Sequence, residues 1–166
     1  RVNCTMLRDR ALVEFLYSTG VRVSELVSLN VEDIEMGKQE LIVYGKGSKE
    51  RKTYLTDSAK FYLRRYLQTR QEQNLAKRPL FVTLDKPHER LTVAGVQYML
   101  RELGKRAGVN NVHPHRFRRT IATDLLNRGM PIEQVKEFLG HEKLDTTMIY
   151  CTVKEESVQA SHRKYA

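Results

Sequence analysis

The 166-residue sequence has few features of a specialised architecture. Its two cysteines, Cys4 and Cys151, are 147 positions apart and outside any CxxC or Cys/His cluster. Neither a disulfide framework nor a zinc site is therefore indicated, and both read as free thiols. Nine glycines and four prolines are too few for a fibrous or low-complexity chain. No apolar run approaches the roughly 18 residues of a membrane-spanning helix, and the basic opening RVNCTMLRDR lacks the apolar stretch of a signal peptide. A cytoplasmic location is the expectation. Internal repeats and linkers are also missing, so the length suits one domain with its own core. Arg1 begins almost directly in helical sequence with no initiator Met, so the chain is expected to be a fragment lacking an N-terminal part.

What is abundant is positive charge. The formal net charge is +9, from 29 Lys+Arg against 20 Asp+Glu. Residues 45–70 carry eight basic and two acidic groups (+6), residues 101–128 seven and two (+5), which leaves −2 for the rest of the chain. Such concentration favours a polyanion partner, with phosphate backbones the first candidate.

Periodicity predicts a mainly α fold with a small antiparallel sheet. Leu12, Phe15 and Leu16 mark a first helix that ends before Gly20; VRVSELVSLN gives a short second one, so that Arg22 falls in the connection. ELIVY and RKTYL flank GKGSK as a β-hairpin, with a third short strand expected at residues 33–36. A helix over 57–73 is expected to line one side with Phe61, Tyr62, Tyr66 and Leu67. LFVTL reads as a short extended element. Helices follow from Thr92 to Gly108, over HPHRFRRTIATDLLNRG, and from Pro131 to Gly140. A short helix from about Asp145 and a polar C-terminal helix complete the expectation.

Five features could carry chemistry, though each alone has an ordinary structural explanation. Glu25 follows Arg22 at one helical turn and could steady its guanidinium. Lys46 lies between glycines at the hairpin tip, with Lys49 competing for the same role. HPHRFRRT contains two overlapping His-x-x-Arg pairs, His113 with Arg116 and His115 with Arg118, and Pro114 makes the second the more regularly helical. His141 follows a helix and its glycine stop, and Tyr150 sits in TTMIY. Together these supply cations for nonbridging phosphate oxygens, acid and base groups, and a nucleophile. No carboxylate cluster suited to Mg²⁺ stands beside them, so a metal-free mechanism is the consistent expectation.

In order and spacing, TGVRVSEL, GKGSKER, HRFRRTIATDLL and LGHEKLDTTMIY resemble the catalytic domain of tyrosine recombinases, the phage integrase family, over essentially the whole chain. The resemblance implies a tyrosine-recombinase/type IB topoisomerase-like fold and a single catalytic domain over residues 1–166, without an N-terminal core-binding domain. Thr120, Ala122 and Thr123 continue the family pattern in register with His115 and Arg118, which selects that pair. Tyr150 would then be the nucleophile on a scissile phosphate of double-stranded DNA, and Arg22 and Arg118 the clamp on its nonbridging oxygens. Lys46 would be the general acid, His115 would assist proton transfer, His141 would hydrogen-bond the phosphate, and Glu25 would support Arg22. Arg119 stands where the family often has His. No cofactor is implied. The remaining cations, Lys49, Arg51, Lys52, Arg64, Arg65, Arg101, Lys105, Arg116 and Arg119, are expected to hold the duplex. The family's assembly implies a homotetramer on paired sites, a monomeric isolated fragment, and association with the nucleoid. A type IB topoisomerase-like enzyme and a non-catalytic DNA-binding regulator are the alternatives.

Overall fold

Helix α1 (Cys4–Thr19) is the element around which the others assemble. Ala11, Leu12, Phe15 and Leu16 lie on one face of it and are fully buried, the i, i+1, i+4, i+5 spacing of a single broad helix face. The computed structural model describes residues 4–70, 78–140 and 162–164. After α1 come α2 (Val23–Ser28), strands β1 (Glu40–Tyr44) and β2 (Glu50–Tyr54), and helices α3 (Asp57–Thr69), α4 (Val93–Ala107), α5 (Pro114–Asn127) and α6 (Ile132–Leu139). The short helix predicted from about residue 145 lies outside the described residues, and of the predicted C-terminal helix only residues 162–164 are described, as helix.

The main core joins α1 to α2, α3, α4 and the hairpin. Phe81, in the predicted LFVTL stretch, meets Phe15 edge-on at 5.9 Å and stacks on Tyr66 of α3 at 5.6 Å, geometries that aromatic quadrupoles favour. That stretch forms no strand: Leu80, Phe81 and Leu84 are bends, and it pairs only through isolated bridges. Leu80 donates its amide to the Leu29 carbonyl, and isolated bridges pair Asn30 with Pro79 and Val82 with Arg90. A smaller core of Ala122, Leu126, Ile132, Val135 and Leu139 holds α5 against α6.

The two strands pair antiparallel in the register Leu41↔Thr53, Val43↔Arg51. Leu41 and Val43 face inward while Ile42 and Tyr44 are exposed, the period-two alternation of a half-buried sheet. The root of β2 is fastened to the end of α1. Thr53 Oγ1 donates to the Thr19 carbonyl at 2.6 Å, Ser18 Oγ donates to the Tyr54 carbonyl, and Ser18 Oγ accepts the Thr56 amide.

Two expectations are corrected here. Residues 33–36 form no third strand. The Asn30 amide donates to Asp33 Oδ2 at 2.8 Å, and a 3₁₀ turn over Val31–Asp33 takes the backbone groups a ladder would need. On α3, Tyr66 is buried and Tyr62 and Leu67 pack against the main core as expected, together with the buried Ala59 and Leu63, while Phe61 is half exposed beneath the Arg65 guanidinium.

Phe15 has no room to relax into. Phe15→Ala should lower unfolding free energy by about 3–5 kcal/mol, as for other buried aromatic truncations, with an unchanged denaturant slope in urea titration.

Candidate active site

Helix α6 ends in an arrangement set by three arginines. The last carbonyls of a helix have no intrahelical donor, and they carry the negative end of its dipole. Arg51 Nη1 donates to the Phe138 carbonyl at 2.7 Å, Arg118 Nη2 to Leu139 at 2.6 Å and Arg22 Nη2 to Gly140 at 3.0 Å. Three consecutive carbonyls thus receive three guanidinium groups from β2, α5 and the start of α2.

Each arginine is placed by its own element. Arg22 caps the N-terminus of α2, with its amide donating to Glu25 Oε1 at 2.8 Å; its side chain remains 42% exposed. Arg118 is buried, and its Nη1 donates to the Gly20 carbonyl. Arg51 is on the same sheet face as Val43, Thr53 and Leu55, and its side chain is 10% exposed. Glu25, 1% exposed, accepts two bonds from Arg51 Nη2, at 2.7 and 2.9 Å. Burial pushes the Arg51 guanidinium below its ordinary range while Glu25 pulls it back. Glu25 supports Arg22 as expected, accepting its amide and standing 4.0 Å from its guanidinium, but its closer partner is Arg51, whose two terminal nitrogens donate to Glu25 and to the Phe138 carbonyl.

Two glycines make the close approach possible. Gly140 has φ +67°, and a Cβ there would lie 2.5 Å from Arg51 Cδ; Gly20 has φ +62°, and a Cβ there would lie 2.8 Å from Leu139 Cδ2. Both positions need the left-handed backbone and the missing side chain together.

An open groove runs between the hairpin, α2 and the end of α6, lined among others by Arg22, Gly45, Lys46, Lys49, Arg51 and Gly140. Lys46 is exposed in the 3₁₀ turn Lys46–Ser48 at the hairpin tip. His115 lies in the first turn of α5, exposed, with its ring stacked on that of His113, the residue that caps the helix. It is not among the residues lining the groove. Of the two His-x-x-Arg arginines, Arg118 reaches the end of α6, whereas Arg116 donates to the Asn110 carbonyl. Lys49, Lys52, Arg64, Arg65, Arg101, Lys105, Arg116 and Arg119 are exposed; Lys105 pairs with Glu102 at 3.1 Å. His141 and Tyr150 lie outside the described residues. Among the described residues no group of three His, Cys, Asp or Glu side chains is placed to hold a metal ion.

The sequence profile of the phage integrase family matches residues 1–157. The chain belongs to the phage integrase family. A relative in it, the tyrosine recombinase XerC of Staphylococcus epidermidis, is 38% identical over 154 residues, which are 92% of this chain and 52% of that protein. This chain thus spans about half the length of the curated relatives it matches. Among solved structures, XerA recombinase superposes with a TM-score of 0.82 at 29% identity, over 96% of this chain and 58% of that one. XerH site-specific recombinase, in its pre-cleavage complex with difH substrate, superposes with a TM-score of 0.77 at 26% identity, over 90% and 44%. The described residues thus have the fold of these recombinases, mainly helical with a two-stranded antiparallel sheet.

Within this family member His115 has a distinctive electrostatic setting. Partial burial of the ring, followed by the cations of Arg118, His113 and Arg119, pushes its pKa below the ordinary imidazole range. The unfolded chain, with its higher pKa, binds the proton more readily, so this residue's contribution is intact above about pH 6.5 and is lost as pH falls toward the folded value. Urea midpoints at pH 7 and pH 5 should therefore differ less in His115→Gln than in wild type.

Proposed function

We propose that the chain breaks and rejoins double-stranded DNA at specific sites through a 3′-phosphotyrosyl intermediate, without metal, nucleotide or other cofactor. The observation that carries this reading is the convergence of Arg22 and Arg118 on consecutive carbonyls at the end of α6. Lys46 lines the same groove as Arg22. Two guanidinium groups fixed at one point form a fork that fits the nonbridging oxygens of one phosphate. The relative quoted above is named a tyrosine recombinase, and XerH was solved with DNA.

In this reading the Tyr150 oxygen forms a bond to phosphorus and the P–O5′ bond breaks. Lys46 gives the leaving oxygen its proton, and His115 takes the proton from the tyrosine. A phenol with a pKa of about 10 needs that base and those cations to act near neutral pH. His141 hydrogen-bonds the phosphate. Arg22 and Arg118 stabilise the pentacoordinate transition state through donors already ordered before the reaction. A second 5′-hydroxyl then attacks the phosphotyrosine, regenerating the tyrosine and joining the new strand. The exposed cations Lys49, Lys52, Arg64, Arg65, Arg101, Lys105, Arg116 and Arg119 hold the duplex by phosphate contacts. The chain is the catalytic portion of a nucleoid-associated cytoplasmic recombinase that works as a homotetramer on paired sites, and by itself it is a monomer, which light scattering without DNA should report.

The decisive measurement incubates the chain with a pool of nicked suicide duplexes of randomised sequence and recovers DNA that survives denaturation in SDS. Wild type should give a covalent adduct, Tyr150→Phe none. Arg22→Ala and Arg118→Lys should stop cleavage while retaining most binding, with circular dichroism confirming that the buried Arg118 position still folds. DNA binding with no wild-type adduct would establish the non-catalytic regulator. Relaxation of supercoiled plasmid without recombinant products would establish the topoisomerase.

A further inference from the structure

Arg51 stands between three parts of the candidate site and is almost shielded from solvent. Its Nη2 makes two bonds to Glu25, whose Oε1 also accepts the Arg22 amide. Its Nη1 holds the Phe138 carbonyl, two residues before the Gly140 carbonyl that receives the Arg22 guanidinium. Its backbone is paired in the hairpin, opposite Val43 and three residues after the tip turn that carries Lys46. A closed circuit results: Arg51 to Glu25, Glu25 to Arg22, Arg22 to Gly140, and back along α6 to Phe138. Gly140 leaves space for this one guanidinium, since a Cβ there would lie 2.6 Å from Arg51 Nε.

We infer that Arg51 is a positioning residue for strand cleavage, setting where Arg22 and Lys46 stand relative to each other and to the end of α6 without itself touching DNA. The inference rests on the function proposed above. A planar, always charged fork is the side chain suited to the place. It satisfies a buried carboxylate and a helix-end carbonyl at once, which a lysine ammonium on a flexible stem does less rigidly. Displacement of a reacting group by about 1 Å is enough to cost on the order of 100-fold in rate.

The test separates position from stability and from DNA contact. Arg51→Met, Arg51→Lys and the double variant Glu25→Gln/Arg51→Met are compared in the 166-residue chain, on a nicked duplex recovered from the adduct pool. In the double variant the side-chain carbonyl introduced at position 25 can still accept the Arg22 amide, and replacing a buried ion pair by neutral groups of similar volume is often harmless to stability. Its melting temperature should therefore recover relative to Arg51→Met. Its rate of adduct formation at saturating DNA should stay about 100-fold down, with Kd within about twofold of wild type. Arg51→Lys should fall between. Recovery of the rate together with the melting temperature would overturn the inference and leave an ordinary ion pair. So would weakened binding with a normal rate at saturation, which would make Arg51 a DNA contact. In both of those cases wild type still forms its adduct and the proposed function stands. Absence of adduct from wild type removes the proposed function and this inference with it.

Discussion

The C-terminus of α6 is where the structure concentrates its polar constraint. Three adjacent carbonyls at the negative end of a helix dipole are neutralised by three cations that come from distant parts of the chain. Packing that much positive charge together is unfavourable unless something answers it, and Glu25 is the buried counterion at this point. Much else follows from this junction. Gly20 and Gly140 must lack side chains because guanidinium and leucine atoms occupy the space. The small core between α5 and α6 has to hold Leu139 firmly, since the residue that buries its side chain there also offers its carbonyl to Arg118. The arginines and the helix end order one another.

The helices were legible because their ends are chemically marked. Thr56 and Thr92 accept the amides three residues on, while Gly108 and Gly140 take left-handed conformations just past the last turn. These signals are local and survive folding unchanged. The predicted strand at 33–36 failed for an equally local reason, the Asn30–Asp33 capping arrangement. On α3 only Phe61 of the predicted stripe faces solvent, while Tyr62, Tyr66 and Leu67 meet the core, whose inward face Ala59 and Leu63 complete.

In the site, the sequence motifs named Arg22, Glu25 and Arg118, and the fold brings the two arginines to the end of α6, but they did not name Arg51 as the second and closer partner of Glu25. The missing partner was readable in principle. Once the turn is fixed at residues 45–49, period-two alternation puts Arg51, Thr53 and Leu55 on the inward face and Glu50, Lys52 and Tyr54 on the outward one. A charge surrounded by other charges in KGSKERK looks like surface until that alternation is applied. What no alternation could supply was the destination of the guanidinium, because the Phe138 carbonyl is 87 residues away in sequence.

The hairpin behaves mechanically as a cantilever. Its root is bolted to the end of α1 by Thr53, Ser18 and Thr56, and Arg51 clamps it again one rung below the last pair, Tyr44↔Glu50. Beyond that clamp project only that rung and the five residues from Gly45 to Lys49, closed on themselves by the Gly45 amide bonded to the Lys49 carbonyl. Lys46 is three residues past Val43, the partner of Arg51, so at about 3.3 Å per extended residue its backbone lies within roughly 10 Å of the fixed point. The clamp therefore sets the reach of the tip, tying the Lys46 backbone to a point fixed on the end of α6.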